Sequence, residues 1–250
     1  MKLATLKNGS RDGKLVVVSR DLTRCTDASF LAPNLQAALD DWHRMSPHLA
    51  ALAESLELGS VPSLRFHEHD ALAPLPRVFQ RVGGGDALAG PREPIELTGK
   101  MRDAKVEASV AVIVTDVAMA AAAEHAKAAV ALIVLSADTV LDDGRAGTSA
   151  LSPVAVTPDE LGDAWDGSVH LSLLAGTRSV ASTGWASFPR LIADAAATRP
   201  LSAGAIVRGG VEMLAVSLGE TVRIAMKDRA GHSIFGAIER QVGRFEPPLP

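Results

Sequence analysis

The chain has 250 residues, of which 47% are hydrophobic and 22% charged, and its formal net charge is -4. This length can bury a substantial core in one large domain, or in a small domain joined to a larger one. Nothing in this balance favours nucleic-acid binding, which would call for a basic stripe. No uninterrupted apolar stretch of about 18 residues is present, so no membrane-spanning helix is expected. The single cysteine, Cys25, excludes an intramolecular disulfide framework, and with the absence of a signal peptide it predicts a cytoplasmic protein.

The N-terminal part of the chain is expected to form a small α+β domain over residues 1–71. Residues 2–7 and 15–19 flank a turn-forming segment, and their patterns predict a β-hairpin. Apolar residues then recur at helical spacing over residues 35–58. Pro47 is expected to divide this region into two helices, because proline removes a backbone donor from a helix interior.

A pair of histidines follows this helical region. His67 and His69 flank Glu68, and on a strand their alternate positions would place both imidazoles on one face. With two ligands and no third, a solvated strand end is the favoured interpretation, and a metal site is the alternative. The next residues, LAPLPR, are expected to form an extended segment that leads into a larger domain over residues 72–250.

The most informative stretch is AKVEASVAVIV, residues 104–114. Alternation followed by an apolar run predicts a strand that enters a buried sheet, with Glu107 and Ser109 on one face. A carboxylate in such surroundings needs a partner, a proton or a metal. A second apolar strand is expected over residues 130–135, which would place Asp138 just beyond a buried strand, where polar groups of active sites often emerge.

Loops and hairpins account for much of the remaining chain. Residues 82–94, VGGGDALAGPREP, are expected to form a loop, and a nucleotide role is set aside because the Lys-Ser/Thr ending of a phosphate-binding loop is missing. Residues 141–149 are also expected to form a loop. Residues 220–226 and 233–239 flank a clear turn and predict a hairpin.

Several long segments, spread over both predicted domains, resemble the bacterial members of the fumarylacetoacetate hydrolase family. They are MKLATLKNGSRDGKLVVVSRDL at the start of the chain, LQAALDDW, LAPLPR, LSPVAVTPDELGDAW, LIADAAATRPLSAGAIV, GETVRIAM and GHSIFGAIE. The resemblance implies an α+β fold that is mainly β, with a mixed β-roll or sandwich, flanking helices and a small N-terminal domain. It also implies a dimer, Mg²⁺ or Ca²⁺, and hydrolysis of a carbon–carbon bond in a β-diketo acid.

The residues that the resemblance assigns to the metal are only partly retained. The family strand reads Asp-Phe-Glu-x-Glu, and here its first glutamate corresponds to Glu107 and its second to Ser109. The family's later aspartate corresponds to Asp138, and Asp142 stands where the family places a substrate arginine. Glu107 and Asp138 are therefore vestigial metal-ligand candidates. Two carboxylates make a poor cage for a cation that prefers six or more oxygens.

Other parts of the family's catalytic apparatus are missing. The segment that carries the catalytic histidine has no counterpart after LAPLPRVFQR, and no histidine lies between His69 and His125. The lysine of the family's Ser-Lys-Pro segment is also missing, and the family's late Gly-Thr corresponds to Gly210-Val211. The resemblance therefore implies a shortened family member without a bound cofactor, or with Mg²⁺ or Ca²⁺ if the vestigial site still binds metal.

Three functions are compatible with this pattern. The first is a pseudoenzyme related to aromatic catabolism, which acts as a structural or regulatory partner in a homodimer or in a hetero-oligomer with a related subunit. The second is a hydrolase, isomerase or decarboxylase of altered chemistry that acts on a keto acid such as an acylpyruvate. Its catalytic candidates would be Glu107, Asp138 and Asp142, with His67 or His69. The third is a binding module for a small keto acid in the emptied cleft.

Overall fold

A computed structural model of the chain describes residues 1–85, 87–181 and 186–246. Within these ranges the chain forms sixteen strands and four α-helices. In chain order the strands are β1 (Lys2–Leu6), β2 (Lys14–Val18), β3 (Arg24–Asp27), β4 (Leu64–Arg65), β5 (Arg81–Val82), β6 (Leu88–Ala89), β7 (Ile95–Leu97), β8 (Asp103–Val114), β9 (Val130–Leu141), β10 (Ala146–Leu151), β11 (Val154–Val156), β12 (Ser172–Ala175), β13 (Arg178–Ala181), β14 (Ile206–Ser217), β15 (Thr221–Lys227) and β16 (Ser233–Arg244). The helices are α1 (Leu35–Leu39), α2 (Trp42–Glu57), α3 (Ala123–Ala128) and α4 (Phe188–Ala195). The predicted mainly-β α+β class is confirmed.

Two sheets form the framework. The larger has eleven strands in the order β4-β3-β2-β1-β11-β9-β8-β14-β5, with β10 joined to β9 and β6 joined to β10. The smaller has five strands in the order β13-β12-β15-β16-β7. Because β1 pairs with β11, the N-terminal strands continue the larger sheet. The division of the chain at residue 71 stays a prediction.

The two faces of the larger sheet contribute to different apolar layers. On one face, alternate β8 residues such as Val106 and Val110 share a core with Phe235 and Ile238 of the smaller sheet. On the other face, Ala111 and Ile113 of β8 pack in a second core that contains buried residues of α1 and α2. This inside-outside alternation is the period-two pattern of a strand. It leaves the first half of β8 with a polar face beyond the helices.

Several local predictions are confirmed. The hairpin of β1 and β2 has Leu3 opposite Val17, and the hairpin of β15 and β16 has Ile224 opposite Ile238. The LAPLPR segment begins beside β1, where the backbone N–H of Leu72 donates to the carbonyl oxygen of Thr5 at 2.9 Å, but its backbone bends over residues 74–77 and is not extended throughout. The described helices are all too short or too polar to traverse a lipid bilayer.

Other local predictions were wrong. The break between the first two helices lies at Asp40-Asp41, and Pro47 is inside α2. Since α2 begins at Trp42, Pro47 is its sixth residue, and the helix continues through it with the loss of the one hydrogen bond that a backbone N–H would donate there. The expected loop at residues 141–149 is a hairpin turn followed by β10, which pairs with β9.

Candidate functional site

Two acidic side chains face each other on the central strands of the larger sheet. Glu107 on β8 is the direct antiparallel partner of Asp138 on β9, and Ser109 and Ser136 form the next pair along the same ladder. All four side chains lie on the sheet face that packs against α1 and α2 further along the strands. Sequence reasoning placed Asp138 beyond its strand, which was wrong, because β9 continues to Leu141.

Asp138 is deeply buried, whereas Glu107 is not. The side chain of Asp138 is 2% exposed and that of Glu107 is 20% exposed. An ionised carboxylate at such a site is strongly destabilising unless it is paired and hydrogen-bonded. The partners of Asp138 therefore determine what this site can bind.

The first partner is Arg208 on β14. Its Nη1 donates to Oε2 of Glu107 at 2.5 Å and to Oδ2 of Asp138 at 2.9 Å. Arg208 lies opposite Ala111 in the ladder, so its side chain passes over the Ser109–Ser136 pair to reach both carboxylates. Burial would lower the pKa of Arg208, but its hydrogen bonds to Asp138 and Glu107 outweigh burial and raise that pKa.

The second partner is Arg81 on β5, whose side chain is 3% exposed. Its Nη2 donates to Oδ1 of Asp138 at 2.5 Å and to Oγ of Ser136 at 3.0 Å. Its Nη1 donates to the carbonyl oxygen of Gly85 at 2.5 Å. Arg81 therefore joins the buried carboxylate to the glycine-rich segment that follows β5.

Two hydroxyl groups complete the hydrogen bonding of Asp138. Ser149 on β10 donates to Oδ1, and Ser136 donates to Oδ2 at 3.1 Å. Each carboxylate oxygen thus accepts one hydrogen bond from an arginine and one from a serine. Since a carboxylate has about four lone-pair positions, this acceptor is saturated. We call this group the Asp138 cluster; its members are Asp138, Glu107, Arg81, Arg208, Ser136 and Ser149.

The triple glycine after β5 lies directly against the Asp138 cluster. Gly83 and Gly84 have φ angles of 84° and 82°, a backbone conformation that residues other than glycine rarely adopt. A Cβ on Gly84 would lie 2.4 Å from Oδ1 of Asp138, and a Cβ on Gly83 would lie 3.1 Å from Nε of Arg208. The segment was predicted only as a loop, and the structure gives it a specific packing role.

Ser109 is the member of this face that lacks a partner. Its Oγ is buried and has no hydrogen-bond partner among the described residues. Ser109 is also the position at which the resemblance expected a second carboxylate. The shorter side chain leaves a buried hydroxyl beneath Arg208 and supplies no charge.

The remaining candidates lie outside this cluster. Asp142 is exposed in the turn between β9 and β10. His67 and His69 are exposed and do not share a strand face, because residues Glu68–Asp70 form a 3-10 turn. Within residues 1–85, 87–181 and 186–246, no group of three or more His, Cys, Asp or Glu side chains could hold a metal ion.

The family described as "Fumarylacetoacetate (FAA) hydrolase C-terminal" matches residues 64–243, and "Fumarylacetoacetase N-terminal domain 2" matches residues 1–77. The chain belongs to the fumarylacetoacetate hydrolase family. No curated protein matches the chain.

Solved structures of this family share the fold. Maleylpyruvate hydrolase from Sphingobium sp. SYK-6 is 20% identical with a TM-score of 0.75, and 98% of this chain and 100% of that chain are covered. The same enzyme in complex with manganese(II) ion and pyruvate is 19% identical with a TM-score of 0.73, and the coverage is the same. Fumarylacetoacetate hydrolase from Exiguobacterium antarcticum is 17% identical with a TM-score of 0.68, and 98% of this chain and 100% of that chain are covered. At these identities the likeness establishes the fold alone.

A divalent cation does not fit the Asp138 cluster of this chain. Both oxygens of Asp138 are saturated, and Oε2 of Glu107 is bonded to Arg208. A cation would have to displace a guanidinium group that already supplies the balancing positive charge. The cations that pair with these carboxylates are Arg81 and Arg208.

Sequence reasoning did not single out Arg81 or Arg208. Two signals could have found them. A buried carboxylate pair requires compensating cations. Each arginine also stands between an apolar strand residue and glycine, because Arg81 is followed by Val82 and the glycine-rich segment and Arg208 by Gly209-Gly210 within β14. The distance between Arg81 and Asp138 along the chain hides their contact, because β5 reaches the site only through its parallel pairing with β14.

Proposed function

We propose that this protein is a member of the fumarylacetoacetate hydrolase family without metal-dependent carbon–carbon hydrolase activity. The observation that carries the proposal is the bridging of Glu107 and Asp138 by Arg208, with Arg81 on the far side of Asp138. Metal-assisted hydrolysis needs a cation with open coordination positions for substrate or water. Both oxygens of Asp138 and Oε2 of Glu107 are engaged by guanidinium groups.

The chemistry of the missing groups supports the same proposal. Activation of water for attack needs a general base positioned within hydrogen-bond reach. His67 and His69 are exposed beside a 3-10 turn. The hydrogen-bond partners described for Glu107 and Asp138 are arginines and serines. Ser109 supplies a hydroxyl where a second strand carboxylate would supply charge.

The proposed role is that of a structural or regulatory subunit, as a homodimer or in a hetero-oligomer with an active relative. The central strands and both apolar layers are intact, so the scaffold is retained while the site is altered. Mass measurement of the purified protein, alone and mixed with an active family member, tests this assembly. A strictly monomeric protein in both samples would contradict the subunit role.

The catalytic part of the proposal is tested with an acylpyruvate substrate and added Mn²⁺ or Mg²⁺. An active family member serves as the positive control. We expect no turnover above the background of protein-free buffer. Turnover that requires the added metal and is lost in Glu107→Gln would contradict the proposal. Turnover of a keto acid in chelator-treated buffer would instead support an enzyme of altered chemistry.

A further inference from the structure

Arg240 on β16 is a buried cation without a direct counter-ion. Its side chain is fully buried, and within the part of the chain that the structure describes no carboxylate forms an ion pair with it. Its guanidinium donates to the carbonyl oxygens of Glu93, Pro94 and Thr148 at 2.7, 3.0 and 3.3 Å. Burial lowers its pKa to about 10, so it stays protonated at neutral pH. A buried charge that is hydrogen-bonded only by neutral groups keeps an attraction for an anion.

Two threonine hydroxyls complete the hydrogen bonding of Arg240. Its Nη2 donates to Oγ1 of Thr148 at 2.6 Å, and its Nη1 donates to Oγ1 of Thr139 at 3.4 Å. A hydroxyl that accepts a hydrogen bond still has its own proton to donate. Among the described residues, neither hydroxyl donates to an acceptor. Two donors beside a buried cation are therefore free to bind a negatively charged oxygen.

Both threonines lie on the face of the larger sheet that is opposite to the Asp138 cluster. Thr139 alternates with Asp138 along β9. On β10 the register with β9 shifts just before Ser149, and a shift of this kind turns groups out of the ladder. The carbonyl and hydroxyl oxygens of Thr148 are both turned to Arg240, whereas the next residue, Ser149, donates to Asp138.

A cavity of about 420 Å³ borders Thr139 and Thr148. Its apolar walls include Ile95, Leu141 and Phe245. Small-molecule sites in proteins have this composition, with apolar walls and a few polar groups that fix the orientation of the ligand. Thr139 is only 3% exposed, so one of the two free donors lies at the deep end of the cavity.

We propose that this cavity binds a small monocarboxylate with an apolar body, such as an aromatic acid. Its carboxylate accepts from the hydroxyls of Thr139 and Thr148, and its negative charge balances Arg240 behind them. Its apolar body packs against the apolar walls of the cavity. Glu96 is an exposed residue that lines the same cavity, and its charge disfavours a ligand with a second carboxylate.

The test is a fluorine NMR titration of the full chain with para-fluorobenzoate. Para-fluorobenzamide has the same shape without the charge and is the matched control ligand. We expect one para-fluorobenzoate per chain with a Kd on the order of 1 mM, as suits so small a ligand. The amide should bind at least about tenfold more weakly. Terephthalate should also displace para-fluorobenzoate about tenfold less well than benzoate does, because it carries a second charge.

Two pairs of variants locate the bound ligand. Thr139→Val removes one hydroxyl with little change of shape and should weaken para-fluorobenzoate about fivefold to tenfold, whereas Thr139→Ser keeps the hydroxyl and should bind as wild type does. Ala146→Phe fills the cavity from an exposed position on its lining and should abolish binding. Ala118→Phe makes the same change at an exposed turn before α3 and should have no effect. If Thr139→Val does not fold, the Ala146→Phe pair provides the test.

Three results would overturn the inference. The first is no binding by wild type at about 10 mM para-fluorobenzoate. The second is equal affinity for the acid and the amide, which would show that the buried cation does not select the ligand. The third is unchanged binding in folded Thr139→Val and Ala146→Phe, which would place the ligand elsewhere. Metal-dependent acylpyruvate cleavage would contradict the proposed function without affecting this site, because the Asp138 cluster lies on the other face of the sheet.

Discussion

Replacing Asp138 by asparagine tests whether the cluster stabilises the fold through its charge. Asparagine keeps the shape of the side chain but removes the negative charge, and its amide nitrogen must face one of the groups that donate to Asp138. Arg81, at 3% exposure, would lose its ion pair with Asp138. Breaking a buried ion pair in this way costs about 3–5 kcal/mol. For a chain of this size the expected fall in Tm is about 6–20 °C.

Thermal unfolding followed by circular dichroism provides the assay for Asp138→Asn, with urea unfolding as a second measure. Asp12→Asn is the control, because Asp12 pairs with Arg77 at the protein surface and should show no measurable fall in Tm. The double variant Arg81→Gln/Asp138→Asn should lose less stability than the sum of the single variants, since the two side chains are in contact. An Asp138→Asn protein that melts within about 2 °C of wild type would refute this reasoning.

Three further perturbations follow from the same structure. Gly84→Ala should cost about 1–3 kcal/mol more than Gly144→Ala in urea unfolding, because the two glycines have φ angles of 82° and 81° but only Gly84 lies against another group; equal losses would contradict the packing role. Burial lowers the pKa of the fully buried Arg240 to about 10. Its guanidinium N–H groups donate hydrogen bonds to the carbonyl oxygens of three residues. Arg240→Met should therefore lower the free energy of unfolding by about 2–4 kcal/mol in the same assay. The Ser29 hydroxyl, ahead of opposing burial and a smaller contribution from Lys14, lowers the pKa of Asp27 to about 2. The free energy of unfolding of wild type should therefore exceed that of Asp27→Asn by about 1 kcal/mol or less above about pH 4, and this difference should vanish as the pH falls towards 2. A difference that persists at pH 2 would contradict the assignment.

The fold was accessible from the sequence because its elements carry strong local patterns. The alternation in residues 104–114 identified β8 and the shared face of Glu107 and Ser109. The two hairpins followed from turn residues between apolar runs. The ends of the strands were harder to predict. Nothing in the pattern of residues 130–141 marks where β9 ends, because Ser136, Asp138 and Thr139 are polar residues in a buried strand.

The chemistry of the site was only half accessible from the sequence. The resemblance identified Glu107, Asp138 and the substitution at Ser109. The arginines that neutralise the carboxylates come from β5 and β14, and their contacts with Asp138 span 57 and 70 residues of chain. Local patterns do not report such pairs. The requirement that a buried carboxylate be compensated does predict that partners exist, although it does not name them.

The central claim is that guanidinium groups, and not a metal ion, neutralise Glu107 and Asp138. Crystals of the wild-type protein soaked in Mn²⁺ and measured near the manganese absorption edge test this claim most directly. We predict no anomalous peak between the two carboxylates, with Nη1 of Arg208 within hydrogen-bond distance of both. An anomalous peak at that position, with Arg208 turned away from Asp138, would contradict it.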